Sequence, residues 1–318
     1  MYKAFFGLKD NPFNVNPDPR YLFITKEVEE ALSSLMYGIQ TRKGIITLTG
    51  EVGTGKTTLI NRLLDWLRGQ RARTAFLFNS RMNSMQLFDF VLSEFEIASD
   101  SRSKSQQLIK LNQWLLDRYR AGETTVLIID EAQNLTLPVL EEVRMLTNLE
   151  TSTEKLLQIV LSGQPELDEK LKLPELRQLR QRIMIRSKTN ALNKQQTFDY
   201  VLERLRIAGA ASGSAPIFSP KALEAIHMFS LGIPRVVNLL CEHALISGYA
   251  QQKRPIEPEG IEEVAREFQL DEVEPIAPAG SLHPGSDIYT SEAFIQNLGH
   301  ALLRFRLGPP VSPGKGRK

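Results

Sequence analysis

Short apolar runs recur along the first half of the chain, each bounded by polar or turn residues. They occupy positions 45–48, 75–78, 126–129 and 156–161. Each has strand length, and the lack of strict alternation suits parallel strands buried on both faces. Between them lie stretches with apolar residues three and four apart: 57–68, 84–119 with a polar break near 99–105, and 137–149. That spacing predicts helices with one apolar face. Strand and helix alternate, which predicts a doubly wound α/β fold. Its parallel sheet carries helices on both faces, with a weaker fifth strand at 183–186.

Residues 1–25 precede this region and are rich in proline and aromatics, including Pro12, Phe13, Pro17, Pro19, Tyr21 and Phe23. The fixed φ of proline predicts an extended or turned arm whose rings need a surface to pack on. Thr25 then reads as the N-cap of a helix with Val28, Ala31, Leu32, Leu35 and Ile39 on one face. Past residue 192 the strands stop. Asn193 and Gln196 form a capping-box pair, Pro220 and Pro258 sit at first helical positions, and Gly232 precedes another helix start at Pro234. The expected organisation is an α/β domain over 1–190 including the arm, a helical domain over 191–270, and a tail over 271–318. That tail holds a Pro/Gly-rich linker and a helix at 291–305 with Phe294, Leu298, Ala301, Leu302 and Phe305 on one face. Its basic residues, Arg304, Arg306, Lys315, Arg317 and Lys318, allow it to pack on a protein core or to lie peripherally on an anionic membrane.

Composition narrows the class. Hydrophobic residues make up 42% and charged residues 24%, enough apolar content to exclude a wholly disordered chain. The net charge of +2 does not point to nucleic acid, although a local basic patch can hide within it. One cysteine, Cys241, excludes an internal disulfide and reads as a buried small hydrophobe; the four histidines show no metal-ligand spacing. No run reaches the roughly 18–20 apolar residues of a membrane span, and the N-terminus lacks a signal-peptide pattern, so the cytoplasm is the expected compartment, with peripheral contact at an inner membrane through the tail.

The chemistry is concentrated in Gly50-Glu51-Val52-Gly53-Thr54-Gly55-Lys56-Thr57, a full G-x-x-x-x-G-K-[ST] match between a predicted strand and a predicted helix. The glycines let backbone amides approach phosphates, and the helix N-terminus favours an anion. Lys56 reaches the β- and γ-phosphates in this reading, and the Thr57 hydroxyl ligates Mg²⁺. Asp130 and Glu131 follow the apolar run 126–129, at the strand end where ligands bind in open α/β sheets. Asp130 is expected to hold the Mg²⁺ through water, and Glu131 to orient or activate an attacking water. After the run 156–161, Gln164 is preferred over Ser162 as a polar group for the γ-phosphate or the water; otherwise it caps a loop before Pro165. Arg177, Arg180, Arg182 and Arg186 form a cluster that suits an acidic partner, nucleic acid, a neighbouring subunit's γ-phosphate or a solvated face. Arg235 lies in the first turn of a helix, where the dipole does not favour a cation, which hints at a phosphate partner.

Together these features resemble the AAA+ ATPases and, more narrowly, the ATPase module of the general secretion pathway protein A (ExeA-type) family. The narrower likeness rests on Asn11-Pro12-Phe13, Pro17-Asp18-Pro19-Arg20, the stretch 50–58 ending in Thr58, Asp130-Glu131-Ala132-Gln133, Gly163-Gln164-Pro165-Glu166-Leu167, and the segments 176–183 and 232–238. It extends from residue 1 to about 270. The resemblance implies a P-loop NTPase sheet with an all-helical lid, and an arm near the adenine. It makes Gln164 the sensor-1 position and Arg235 the sensor-2 position. Arg182, then Arg180, becomes the arginine acting in trans in a homo-oligomeric ring or filament. The form expected is a stand-alone one, without the membrane span and peptidoglycan-binding region of the full-length family member. ATP and Mg²⁺ are the implied ligands. ATP hydrolysis coupled to oligomer assembly or partner remodelling, in a bacterial secretion or exopolysaccharide-export type system, is the implied activity. The alternative is a transposition-type regulator whose ATP-dependent filament acts on DNA or a transposase.

Overall fold

The computed structural model describes residues 1–14, 18–78, 81–98, 103–211 and 215–270. The linker, the helix expected at 291–305 and the basic tail lie outside the described residues. The chain divides into two compact units. Among the described residues, one comprises those from 18 to 192 with Ile233–Arg235; the other comprises Met1–Asn14, Asn193–Gly232 and residues 236–270.

The first unit is built on five strands: β1 (Ile45–Gly50), β2 (Ala72–Leu77), β3 (Thr124–Ile129), β4 (Leu157–Gly163) and β5 (Ile183–Thr189). They form one all-parallel sheet in the order β2-β3-β4-β1-β5. The central strands are buried on both faces, which explains their unbroken apolar runs. Successive side chains still point to opposite sides. Leu127 and Ile129 of β3 join one core, with Leu87, Phe88, Leu111 and Leu140. Val126 and Ile128 join the other, with Leu35, Ile39, Leu59 and Leu63. β5 is an edge strand with an interrupted burial pattern, hence its weaker signal in the sequence.

Helices α2 (Lys26–Gln40) and α3 (Lys56–Arg68) feed the second core; α4 (Ser84–Glu94), α5 (Lys104–Arg120), α6 (Leu137–Leu146), α7 (Pro165–Leu171) and α8 (Arg177–Arg182) lie between the later strands, and α4–α8 bury apolar residues in the first core. Thr25 caps α2 as expected, its Oγ1 accepting the Val28 N–H at 3.3 Å. Where one long region with a break near 99–105 is expected, α4 ends at Glu94 and α5 starts at Lys104; residues 99–102 lie outside the described residues.

The second unit contains α1 (Tyr2–Phe6), α9 (Lys194–Ile207), α10 (Pro220–Ser230), α11 (Pro234–Ala250) and α12 (Pro258–Glu267). Asn193 and Gln196 form the expected capping box. Cys241 is fully buried on α11. The arm departs from the expected grouping. Its first fourteen residues belong to the helical unit, and Tyr2–Phe6 is helical because its prolines begin only at Pro12. The Tyr2 hydroxyl donates to Glu242, the ring of Phe13 meets that of Phe218, and the Pro12 carbonyl accepts from Arg204 Nε at 2.5 Å.

Candidate functional site

The loop between β1 and α3 carries the glycine motif. Gly53 has φ +82°, and a Cβ there meets Arg235 Cβ at 2.7 Å, so this position accepts no side chain. Lys56 opens α3 and is buried. Its ammonium donates to the carbonyls of Gly50 (2.6 Å) and Glu51 (2.9 Å). Thr54 Oγ1 donates to Glu51 O at 2.7 Å and shares a 2.7 Å hydrogen bond with Thr189 Oγ1 at the end of β5. Val52 and Gly55 complete the loop; Thr57 and Thr58 lie in the first turn of α3, with Thr57 exposed.

Asp130 and Glu131 emerge where β3 ends. Asp130 is buried, and its Oδ1 accepts from Ser162 Oγ (2.7 Å) and from the Glu131 N–H (3.0 Å). Burial pushes its carboxyl above the usual range, and these two hydrogen bonds pull the other way. Glu131 has φ +53° and ψ +37°, a left-handed conformation uncommon outside glycine. Its Oε2 accepts from Gln133 Nε2 at 2.6 Å and from Gln164 Nε2 at 3.2 Å. Burial pushes the Lys56 ammonium down, while the charges of Glu131, Asp130, Glu51 and Glu166 oppose that fall. Glu51 is itself pushed up, chiefly by burial and then by Glu166. Lys56, Asp130 and Glu131 thus share one electrostatic neighbourhood.

Strand order explains the convergence. β4 lies between β1 and β3, so the end of β4 falls beside both the loop and the acidic pair. Gln164 is the N-cap position of α7. That helix is pinned to β1 by Thr49 Oγ1, which donates to Asp168 Oδ2 at 2.9 Å. Lys170 of α7 donates to the carbonyls of Gln133 and Leu135, the latter at 3.0 Å. Ser162 and Gln164, weighed as alternatives from sequence, both take part: Ser162 binds Asp130 and Gln164 binds Glu131. Sequence reading gave no role to Gln133, Thr189 or Lys170. Apart from Glu131, two positions from Gln133, their partners lie 31 to 135 positions away, beyond any local pattern.

Arg235 clusters with this unit, its N–H donating to Gly53 O at 3.2 Å. Its Nε is buried with no hydrogen-bond partner among the described residues. The arginine cluster is elsewhere. Arg182 Nη1 donates to Thr147 Oγ1 (2.6 Å) and Asn148 Oδ1 (2.5 Å), just past the end of α6. Arg180 has no side-chain hydrogen bond among the described residues, and Arg186 is exposed on β5.

Comparison with known proteins agrees with this architecture. Residues 39–171, from the end of α2 through α7, match the AAA domain family. The chain is 44% identical over 257 residues to general secretion pathway protein A of Aeromonas hydrophila, an alignment covering 80% of this chain and 46% of that protein. The chain therefore spans about half the length of this relative. Among solved structures, the ORC2 protein of Aeropyrum pernix in ADPNP-ADP complexes superposes with a TM-score of 0.59 at 16% identity, covering 84% of this chain and 75% of that one. Cdc6p of Pyrobaculum aerophilum gives 0.60 at 18% identity, covering 82% and 71%. These two likenesses concern the fold. The chain has the fold of a P-loop NTPase of AAA+ type, carries an AAA domain over residues 39–171, and is similar over most of its length to general secretion pathway protein A.

Proposed function

We propose that this chain binds ATP with Mg²⁺ and hydrolyses it to ADP and phosphate. The observation that carries the reading is that buried Lys56, which opens α3 after β1, lies in the field of Asp130 and Glu131, which follow β3, while Gln164, which follows β4, donates to Glu131 at 3.2 Å. Gly50, Glu51, Val52, Gly53, Thr54 and Gly55 offer main-chain amides to the phosphates, and Thr58 follows in the same helix turn. Lys56 compensates charge on the β- and γ-phosphates. Arg235, with its orphaned buried Nε, supplies a second cation.

The metal donor set is made of hard oxygens, the Thr57 hydroxyl and the Asp130 carboxylate, the latter through water, and it fits Mg²⁺. When bound, the ion neutralises charge on the phosphate oxygens. Ser162 holds Asp130 in place for that task. Glu131 orients a water and accepts its proton, and Gln164 holds that carboxylate from β4.

Nucleotide state then controls assembly of a homo-oligomeric ring or filament, through different affinities of the ATP and ADP forms for a neighbour. Arg180 and Arg182 are the residues proposed to reach a neighbouring site. The similarity to general secretion pathway protein A supports a role in a secretion or exopolysaccharide-export type system. We place that role in the cytoplasm or at the cytoplasmic face of the inner membrane. No helix among the described residues is long and apolar enough to cross a membrane.

Phosphate release with Mg²⁺-ATP tests the chemistry. The parent protein turns over, and Glu131→Gln binds ATP but falls by a factor of about 100 or more in rate. Equal rates for parent and Glu131→Gln overturn the role given to Glu131.

A further inference from the structure

Gln133 occupies a position whose geometry is determined at both ends of its amide. Its Oε1 accepts the backbone N–H of Gln164 at 3.1 Å, and a backbone amide can only donate. The opposite face of the amide is therefore Nε2, which donates to Glu131 Oε2 at 2.6 Å. The fold makes room for this bridge. A Cβ on Gly163 lies 2.9 Å from Gln133 Oε1 and 3.0 Å from Leu167 Cδ2, so the last residue of β4 is one that leaves the amide its place. Lys170 holds the Gln133 carbonyl from α7. Glu131 itself has a left-handed backbone just before the short 3-10 turn Ala132–Asn134 that carries Gln133. A glutamate side chain has three rotatable bonds, and without a clamp its carboxylate samples several positions.

Building on the role proposed above for Glu131, we propose that Gln133 is a positioning residue for the hydrolytic step. Gln133 fixes one carboxylate oxygen of Glu131 and ties that carboxylate to the backbone of Gln164, so that the polar groups just past the ends of β3 and β4 are set as one unit. Loss of a supporting partner of this kind lowers activity by about 10- to 100-fold.

The test is steady-state ATP hydrolysis by the full chain, together with titration of a fluorescent ATP analogue. Gln133→Leu is expected to lower kcat by about 10- to 100-fold and to leave KM and analogue affinity within about twofold. Gly163→Ala, which crowds the amide without altering Gln133, lowers kcat in the same direction. Glu131→Gln with Gln133→Leu is no slower than Glu131→Gln alone, since the group through which Gln133 acts is already lost. Parental kcat in both Gln133→Leu and Gly163→Ala overturns the proposal, as does a loss confined to KM and affinity. A Glu131→Gln protein that hydrolyses at the parental rate removes the catalytic reading of Glu131, and the role of Gln133 falls with it.

Discussion

The Ser162 hydroxyl donates to Asp130 Oδ1 at 2.7 Å, joining the C-terminal end of β4 to the residue that follows β3. Both residues are buried, and a buried carboxylate without donors is costly. Ser162→Ala is expected to lower unfolding stability by about 1–3 kcal/mol in urea melts and to raise the Mg²⁺ concentration needed for half-maximal hydrolysis. An unchanged Mg²⁺ requirement contradicts the role given to Asp130's orientation.

The loop leaves no space at Gly53. With φ at +82° and Arg235 Cβ at 2.7 Å from any added methyl, Gly53→Ala has to move the loop or the arginine. Affinity for an ATP analogue should fall by about tenfold or more, equivalent to about 1.4 kcal/mol. Isothermal titration measures it, with circular dichroism to confirm the fold. Parental affinity shows that the loop conformation does not matter for binding.

The two arginines of α8 separate by their bonds. Arg182 is held by Thr147 and Asn148, whereas Arg180 is not held by any side-chain hydrogen bond among the described residues. Arg182→Ala should lower stability by about 1 kcal/mol. Arg180→Ala should fold like the parent but lose turnover, and regain it when mixed with Lys56→Ala protein that supplies an intact Arg180. No recovery on mixing removes Arg180 as a residue acting on a neighbour.

His243 packs edge-on against Phe268, ring centroids 4.7 Å apart. Burial holds its imidazole below the usual value, with Glu267 and Glu242 opposing. The unfolded chain then binds the proton more readily, so stability is lost as the pH falls below about 6.5. Thermal melts between pH 7.5 and pH 5 should show a shallower acid loss for His243→Gln than for the parent. Parallel curves exclude this histidine as a source of acid sensitivity.

The sheet was readable because its central strands are buried on both faces and so appear as unbroken apolar runs. The glycine loop and the acidic pair were readable because each is contiguous. α7 and α8 were not anticipated; seven and six residues are too few to display a helical period. The contacts of Ser162, Thr189 and Lys170, and the bond of Gln133 to Gln164, depend on β4 lying between β1 and β3 and on β5 flanking β1, an order that spacing along the chain does not encode. The aromatic arm advertised its need for a packing surface, but not that residues 1–14 find it among helices formed from position 194 on.

Titration of a fluorescent ATP analogue with Mg²⁺ against the parent protein and Lys56→Ala tests the central claim most directly. The parent should give a saturating curve that unlabelled ATP reverses, and Lys56→Ala should stay flat while keeping its fold. A flat curve from folded parent protein, or equal saturation by the two proteins, contradicts nucleotide binding through the loop at 50–57.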